Sequence, residues 1–210
     1  AWWHGESEDI YSILKGTDLS EANLTGADLL EVYLIGADLT GAVIEESQLR
    51  LALLCNTTLP DGTKTKCDLS EADLRGADLR GTEFPPANLY GSDLAGASLM
   101  DAILEKADLA GANLVMANLT GANLSYAELY NANLIEADLT QVDLSGANLT
   151  GVDLSGADLR GANLNQTVLI NTDLTDAKIE QGKLGQALVC NTKTIDGTVS
   201  GCDLSGRDLA

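Results

Sequence analysis

The sequence is poor in aromatic and basic residues. Its 210 residues include eight aromatic residues and one histidine, and 12 Lys and Arg stand against 32 Asp and Glu, for a formal charge of −20. This acidity argues against nucleic acid or an anionic membrane surface as a partner. There is no run of about 18 apolar residues, so no membrane insertion is predicted. The lone histidine, His4, has no recognisable catalytic or metal-binding motif around it.

What the sequence has instead is a strict repeat of five residues. Leucine occupies 33 of the 40 positions that recur every fifth residue from Leu14 to Leu209, here named position i. Small residues, mostly alanine, stand two places earlier, and Asp or Asn usually lies between. The two positions after leucine carry Ser, Thr, Gly, Glu or Asn, which favour turns. Each repeat therefore predicts a short inward, outward, inward segment followed by a turn.

A period of five matches neither an α-helix nor a long β-strand. Short extended segments joined by turns of one hand wind the chain into a coil, and stacked coils make a solenoid. Of the 32 acidic residues, 17 occupy the position before leucine, which Asn also occupies. A charge-dependent site would not accept Asn so freely, so we expect these side chains to accept local turn hydrogen bonds. Neither a catalytic carboxylate pair nor a calcium array is predicted.

The repeat resembles that of the pentapeptide-repeat family. The resemblance rests on the A(D/N)LxG pattern, as in GANL at 121–124 and GADLR at 156–160, and covers about residues 16–209. It implies an all-β fold, a right-handed quadrilateral β-helix with four pentapeptides per coil and Leu and Ala inside. Members from cyanobacteria or of the thylakoid-lumen type are the most similar. We expect the β-helix over 16–210, preceded at 1–15 by a tail and a short helix that caps the first coil.

Two cysteine-bracketed segments, 55–67 and 190–202, interrupt the repeat and resemble each other. Both have cysteines twelve residues apart and share Asn-Thr and Asp-Gly-Thr, and the Asp-Gly pairs predict loops or β-hairpins. The duplication favours disulfides Cys55–Cys67 and Cys190–Cys202 among the three possible pairings. Four reduced cysteines acting as small hydrophobes are the alternative, and zinc is not favoured.

The two predicted disulfides would place the protein in an oxidising compartment, namely the thylakoid lumen or the periplasm, after export. Six sequons for N-glycosylation occur, mostly because the repeat itself generates them, so a eukaryotic secretory route fits less well. We also expect the second segment to fold over the last coil as a cap.

The predicted function is a non-catalytic acidic scaffold for an unknown protein partner, as a monomer or an end-to-end dimer. We expect no catalytic residues, no cofactor and no metal. Tyr126 and Tyr130 are candidates for an interaction surface, since outward aromatic residues are common at binding hot spots. Tyr33 and Tyr90 are also predicted to face outward, and Pro85-Pro86 to distort one coil.

The alternative function is a DNA mimic that binds a DNA-handling enzyme such as gyrase, as the resemblance to quinolone-resistance members of the family implies. Those members favour Phe at position i, whereas this sequence has Phe84 alone. They also dimerise through a C-terminal helix, whereas the repeat here continues to Leu209. These departures count against DNA mimicry.

Overall fold

The chain folds into stacked coils of short extended segments. The computed structural model describes residues 14–30, 32–84, 86–180 and 182–202. They belong to two compact units, Ala1–Lys66 (unit 1) and Cys67–Ala210 (unit 2). The predicted capping helix, His4 and Pro85 lie outside the described residues.

Each coil contains four pentapeptides. In unit 2, the outward residue before most leucines forms a parallel bridge with the residue 20 positions later, so Asp73 pairs with Asp93 and Asp93 with Asn113. Unit 1 has the same spacing, as in the pair Asp18 and Asp38. A spacing of 20 residues equals four repeats of five, so each coil has four sides.

Leucine and alanine fill the inside of each unit. In unit 2, the residues at position i from Leu69 to Leu174 are almost completely buried, as are most of the small residues two places before them. In unit 1, the core contains Leu29, Leu34 and Leu39. Complete burial of one leucine contributes about 1.5–3 kcal/mol, so the stacked leucines are the main source of stability. The predicted inward, outward, inward alternation is confirmed.

The backbone hydrogen bonds explain the period of five. In the pentapeptide 112–116, the first N–H donates to the carbonyl three residues earlier, at 3.0 Å, and the second to the preceding coil, at 2.9 Å. The third and fifth donate to the following coil, at 2.7 and 3.0 Å. The fourth N–H points into the turn and donates to the Asn113 side chain, at 3.3 Å. All five backbone donors are therefore satisfied, provided that Asp or Asn stands before the leucine.

A short helix replaces one side of a coil in unit 1. Helix α1 spans Glu46–Leu49, and the Gln48 side chain accepts the Glu45 N–H at 3.0 Å. The buried Gln48 amide also donates to the carbonyls of Leu24 and Ala27, at 2.9 and 2.7 Å. The repeat did not predict this helix, although the spacing from Glu45 to Gln48 is that of a helix-capping motif.

Unit 2 contains two β-strands of three residues each. Strand β1 (Val168–Ile170) pairs in parallel with strand β2 (Leu188–Cys190), and Val168 lies opposite Leu188. A 3-10 helix at Lys183–Gln186 precedes β2. Because the pairing offset is still 20 residues, this helix replaces part of a coil without changing the length of the coil.

Candidate interaction face and cysteine-bracketed hairpins

The Asp and Asn side chains before leucine close the turns that follow them. Their Oδ1 atom accepts the backbone N–H two residues later, as between Asp38 and Thr40 in unit 1, at 2.9 Å. In unit 2, Asn118 accepts from Thr120 at 3.0 Å in the same way. Asp and Asn offer the same acceptor oxygen, which explains why the sequence uses both. The predicted local role of these side chains is thus confirmed.

Arginine residues in ADLR repeats pair with the aspartate of the same repeat. Arg160 Nε and Nη2 donate to Asp158 Oδ1 and Oδ2, at 2.8 and 2.6 Å. Hydrogen bonding by Arg160 is the largest cause that lowers the pKa of Asp158, to about 2. Arg75 pairs with Asp73 in the same way. These arginines neutralise their immediate neighbours and leave the remaining acidic residues unbalanced.

The middle of unit 2 carries most of that imbalance. Residues 81–159 contain eleven acidic residues and a single basic one, Lys106, for a net charge of −10, of which Asp158 is balanced by an arginine just outside the stretch, Arg160. Lys106 Nζ pairs with the adjacent Glu105 at 2.7 Å. The surface of this stretch therefore has a negative potential that attracts cations.

The same stretch exposes a row of large side chains on one side of a coil. Tyr126 and Tyr130 are 56% and 42% exposed, and Glu128 between them is also exposed. Ala127 and Leu129, which alternate with them, are completely buried. Glu128 therefore points outward from the side formed by residues 127–129, and the two tyrosines stand in the turns at its two ends.

Neighbouring coils extend this surface. Tyr90 stands 40 residues before Tyr130, hence in the same column two coils away, and is 48% exposed. Ala110 lies between them in that column and is completely buried although its position faces outward. The backbone of Asp108 forms a parallel bridge with that of Glu128 in the next coil, so the two residues stand in one column. The surface formed by Tyr90, Asp108, Tyr126, Glu128 and Tyr130 is named the tyrosine face.

Tyr126 adopts a backbone conformation that is rare for an aromatic residue. Its φ is +58°, in the left-handed region. Its ring lies against Gly146 of the next coil, because a Cβ built on Gly146 would be 2.6 Å from Tyr126 Cδ1 and Cε1. Gly146 therefore leaves the space in which the ring rests.

Tyr33 does not belong to an exposed surface. The sequence predicted that it faces outward, but it is completely buried in unit 1, together with Leu34 and Ile35. Ile35, two positions later, is apolar where most repeats have a polar turn residue, and it is also buried. In this repeat, therefore, large apolar side chains at outward positions are buried. The prediction of an outward Tyr33 was wrong.

Both cysteine-bracketed segments form β-hairpins. In unit 1, Thr58 makes an antiparallel bridge with Lys64 around the turn at Asp61-Gly62. In unit 2, Lys193 makes the equivalent bridge with Val199. Val199, predicted as an apolar residue at position i, is 62% exposed because the hairpin leaves the repeat.

Each hairpin ends a ladder of backbone hydrogen bonds. Thr58 bridges Asp38 of the preceding coil in parallel, and its other bridge goes to the returning strand of its own hairpin. Lys193 does the same between Asp173 and Val199. In each unit the returning strand thus pairs with the backbone edge with which a following coil would pair.

A buried threonine anchors each hairpin, a feature that the sequence analysis missed. Thr57 and Thr192 are completely buried, and their hydroxyls donate to the carbonyls of Leu34 and Leu169 in the preceding coil. Their backbone N–H groups donate to the hydroxyl at the far end of the hairpin, for Thr57 that of Thr65, at 3.0 Å. The Asn-Thr pair shared by the two segments was the available signal.

The cysteines of both segments are oxidised. Cys190 and Cys202 form a disulfide that closes the hairpin of unit 2. Cys55 and Cys67 are also disulfide-bonded, and the described part of the chain contains no free cysteine.

We expect Thr57→Val to destabilise unit 1 by about 1–3 kcal/mol, since the substitution keeps the shape but removes a buried hydroxyl donor. Thr57→Ser retains the donor, so it should cost less. Urea unfolding of both variants measures the difference. A larger loss for Ser than for Val would show that packing, and not the hydrogen bond, holds the hairpin.

Protonation of Asp196 in strong acid should weaken the hairpin of unit 2. Hydrogen bonds from Thr194 and Thr198 lower the pKa of Asp196 to about 2, from an ordinary value of 3.8. A lowered folded-state pKa stabilises the hairpin above about pH 4, and this contribution disappears as the pH falls through about 2. Carboxyl NMR titration should give a midpoint near 2 for Asp196. Thr194→Ala should raise that midpoint, and an unchanged midpoint would contradict the assigned cause.

The described residues contain neither a candidate metal site nor a candidate membrane-spanning helix. Among them, no group of three or more His, Cys, Asp or Glu side chains could hold a metal ion. No helix within these same ranges has the length and apolar character needed to cross a membrane.

The coils, the buried ladders and the turn-closing Asp and Asn define a β-helical solenoid built from pentapeptides. The profile of the family described as pentapeptide repeats matches eight copies, over residues 17–56, 67–105, 102–141, 127–166 and 153–188. The chain belongs to the pentapeptide repeat family. The predicted right-handed quadrilateral β-helix is thereby confirmed. No curated protein matches the chain.

Several solved structures are similar to this chain. HetL, a pentapeptide repeat protein involved in heterocyst differentiation regulation in the cyanobacterium Nostoc, is 28% identical, with a TM-score of 0.49 over 90% of this chain and 92% of HetL. A pentapeptide repeat protein from the thylakoid lumen of Arabidopsis thaliana is 30% identical, with a TM-score of 0.45 over 60% and 86% of the two chains. QnrB1, a fluoroquinolone resistance protein, is 22% identical, with a TM-score of 0.42 over 82% and 85%.

Proposed function

We propose that this protein is a non-catalytic scaffold that binds another protein through the tyrosine face of unit 2, in an oxidising compartment. The observation that carries the proposal is the coincidence of two features within residues 81–159. Exposed tyrosines and unbalanced negative charge occur on the same stretch of chain, whereas a repeat built only for stability needs neither. Aromatic residues surrounded by polar groups are typical of binding hot spots.

The local use of the carboxylates supports a role without catalysis. The Asp residues before leucine accept turn hydrogen bonds or pair with arginine, as Asp38 and Asp158 do. Such carboxylates serve the fold, and a catalytic pair would need the two acids to converge on one reacting bond. The tyrosines of the tyrosine face are 42–56% exposed, which leaves them accessible to a protein surface.

The disulfides support the proposed location. Structural disulfides persist in oxidising compartments and are rare where thiols are kept reduced. With Cys190–Cys202 closed and no free cysteine in the described residues, export to the thylakoid lumen or the periplasm is the location we propose.

Site-specific photo-cross-linking in cells that naturally express the protein tests the proposal. A photoreactive phenylalanine at position 130 should cross-link one partner protein, and the yield should fall when Tyr126→Asn is added. The same group at position 120, on another side of unit 2, is the matched control and should give no such product.

Each outcome of the cross-linking has a clear meaning. Equal products from positions 120 and 130, or none from 130, would contradict the proposal. A product of twice the chain mass would identify a second copy of this protein as the partner. A DNA-handling enzyme such as gyrase in the product would favour the DNA-mimic alternative.

A further inference from the structure

We infer that the tyrosine face binds the cationic side chain of an arginine or lysine in a basic segment of the partner. This inference rests on the proposed function and specifies the chemistry of the partner. It is drawn from the arrangement of three outward side chains, Tyr126, Glu128 and Tyr130, and from the charge around them.

The arrangement places a carboxylate between two aromatic rings. Three residues lie between Tyr126 and Tyr130, so their Cα atoms, four peptide units apart, are at most about 14 Å apart, with Glu128 midway along the chain. Glu128 Oε2 accepts a hydrogen bond from Asn148 Nδ2 at 2.9 Å, which orients the carboxylate. A guanidinium or ammonium group can pair with such a carboxylate while resting against the face of a neighbouring ring.

The backbone and ring of Tyr126 adopt an unusual conformation that bears on this contact. The other residues in the left-handed turn position are mostly Gly, Glu, Asn, Asp or Gln, whereas Tyr126 is aromatic. A bulky residue in this conformation is strained, and strain of this kind is concentrated at functional sites. Because the ring rests against Gly146, part of its freedom is already lost before the partner arrives.

The charge around the face has the sign that a cation requires. Lys106 is the only basic residue in 81–159 and stands one coil before Tyr126 in the same column. Its ammonium group pairs with Glu105 at 2.7 Å, so Glu105 compensates its charge locally. Glu128 has no such neighbour in its own column, which contains Asp108 and Asn148. A partner cation would therefore supply the balancing charge.

A pair of synthetic peptides tests the inference directly. The probe is a fluorescent peptide of alternating Arg and Gly, and its twin carries citrulline, the neutral isostere, in place of each Arg. Fluorescence anisotropy on the intact protein should show binding of the arginine peptide at low salt. The citrulline peptide should bind at least about tenfold more weakly, and added salt should reduce the difference.

Matched variants separate a specific site from general attraction. Glu128→Gln and Tyr126→Asn should each weaken binding of the arginine peptide by roughly 3- to 10-fold, because each removes one of the two contacts. Glu136→Gln removes the same charge from another side of the same coil and should change the affinity by less than about 2-fold. Asn suits the left-handed conformation at position 126, so that variant keeps the fold, which circular dichroism verifies.

The outcomes distinguish this inference from the proposed function. Equal losses for Glu128→Gln and Glu136→Gln, equal binding of the two peptides, or no binding would overturn the cationic partner. If the cross-link from position 130 still forms in that case, the scaffold function stands and the partner has other chemistry. If the cross-link is also missing, both are wrong.

Discussion

Replacing Leu124 by alanine should destabilise unit 2 by about 2–5 kcal/mol. Leu124 is completely buried, with leucines of the adjacent coils in its column, and its N–H donates to the Asp143 carbonyl at 2.7 Å. The neighbouring coils are fixed by backbone hydrogen bonds about every 4.8 Å, so they cannot collapse into the cavity. The cost should therefore approach the upper part of this range. Denaturant unfolding followed by circular dichroism measures it.

The matched control for this variant is Thr120→Ala in the preceding repeat. Thr120 faces outward, and its hydroxyl shares a partly buried hydrogen bond with Thr140, at 3.2 Å. Its removal should cost less than about 1 kcal/mol. If the two variants lose equal stability, the inward register described for unit 2 is wrong.

Removing the disulfide of unit 2 should have the second large effect. The double variant Cys190→Ala, Cys202→Ala should lose about 3 kcal/mol of unfolding free energy. The disulfide joins residues 12 positions apart and so restricts the unfolded chain. The hairpin also covers the edge at Lys193, so its loosening should expose unpaired backbone groups. We therefore expect concentration-dependent association, measured by light scattering.

A second readout locates the effect of this double variant. Amide hydrogen exchange at Lys193 and Val199 should accelerate, while exchange in the coil around Leu124 should not change. A variant that keeps its stability and stays monomeric would show that the hairpin is an accessory loop and not a cap.

The sequence was informative about the coil because the same five-residue solution recurs many times. In most repeats, leucine and alanine fill the core, and the Asp or Asn between them closes the turn by a hydrogen bond. Helix α1 was missed because it depends on a single long-range contact, that of Gln48 with the carbonyls of Leu24 and Ala27. A pattern averaged over many repeats cannot reveal a contact that occurs once.

The candidate site was only partly predictable. Tyr126 and Tyr130 were identified as outward aromatic residues, but Glu128 was counted among the structural acids of the repeat. Its distinct position became visible only when the coil placed it between two tyrosines. The burial of Tyr33 was not predicted, because identical register positions in different coils have different neighbours.

Amide chemical-shift mapping tests the central claim most directly, namely that one side of unit 2 binds a partner while the other acidic sides serve the fold. The arginine peptide would be titrated into isotope-labelled protein at low salt. We expect the large shifts to be confined to residues 126–130, with smaller ones at Tyr90, Asp108 and Gly146. Shifts of equal size at the acidic positions of other sides, such as Asp138 and Asp153, would contradict it.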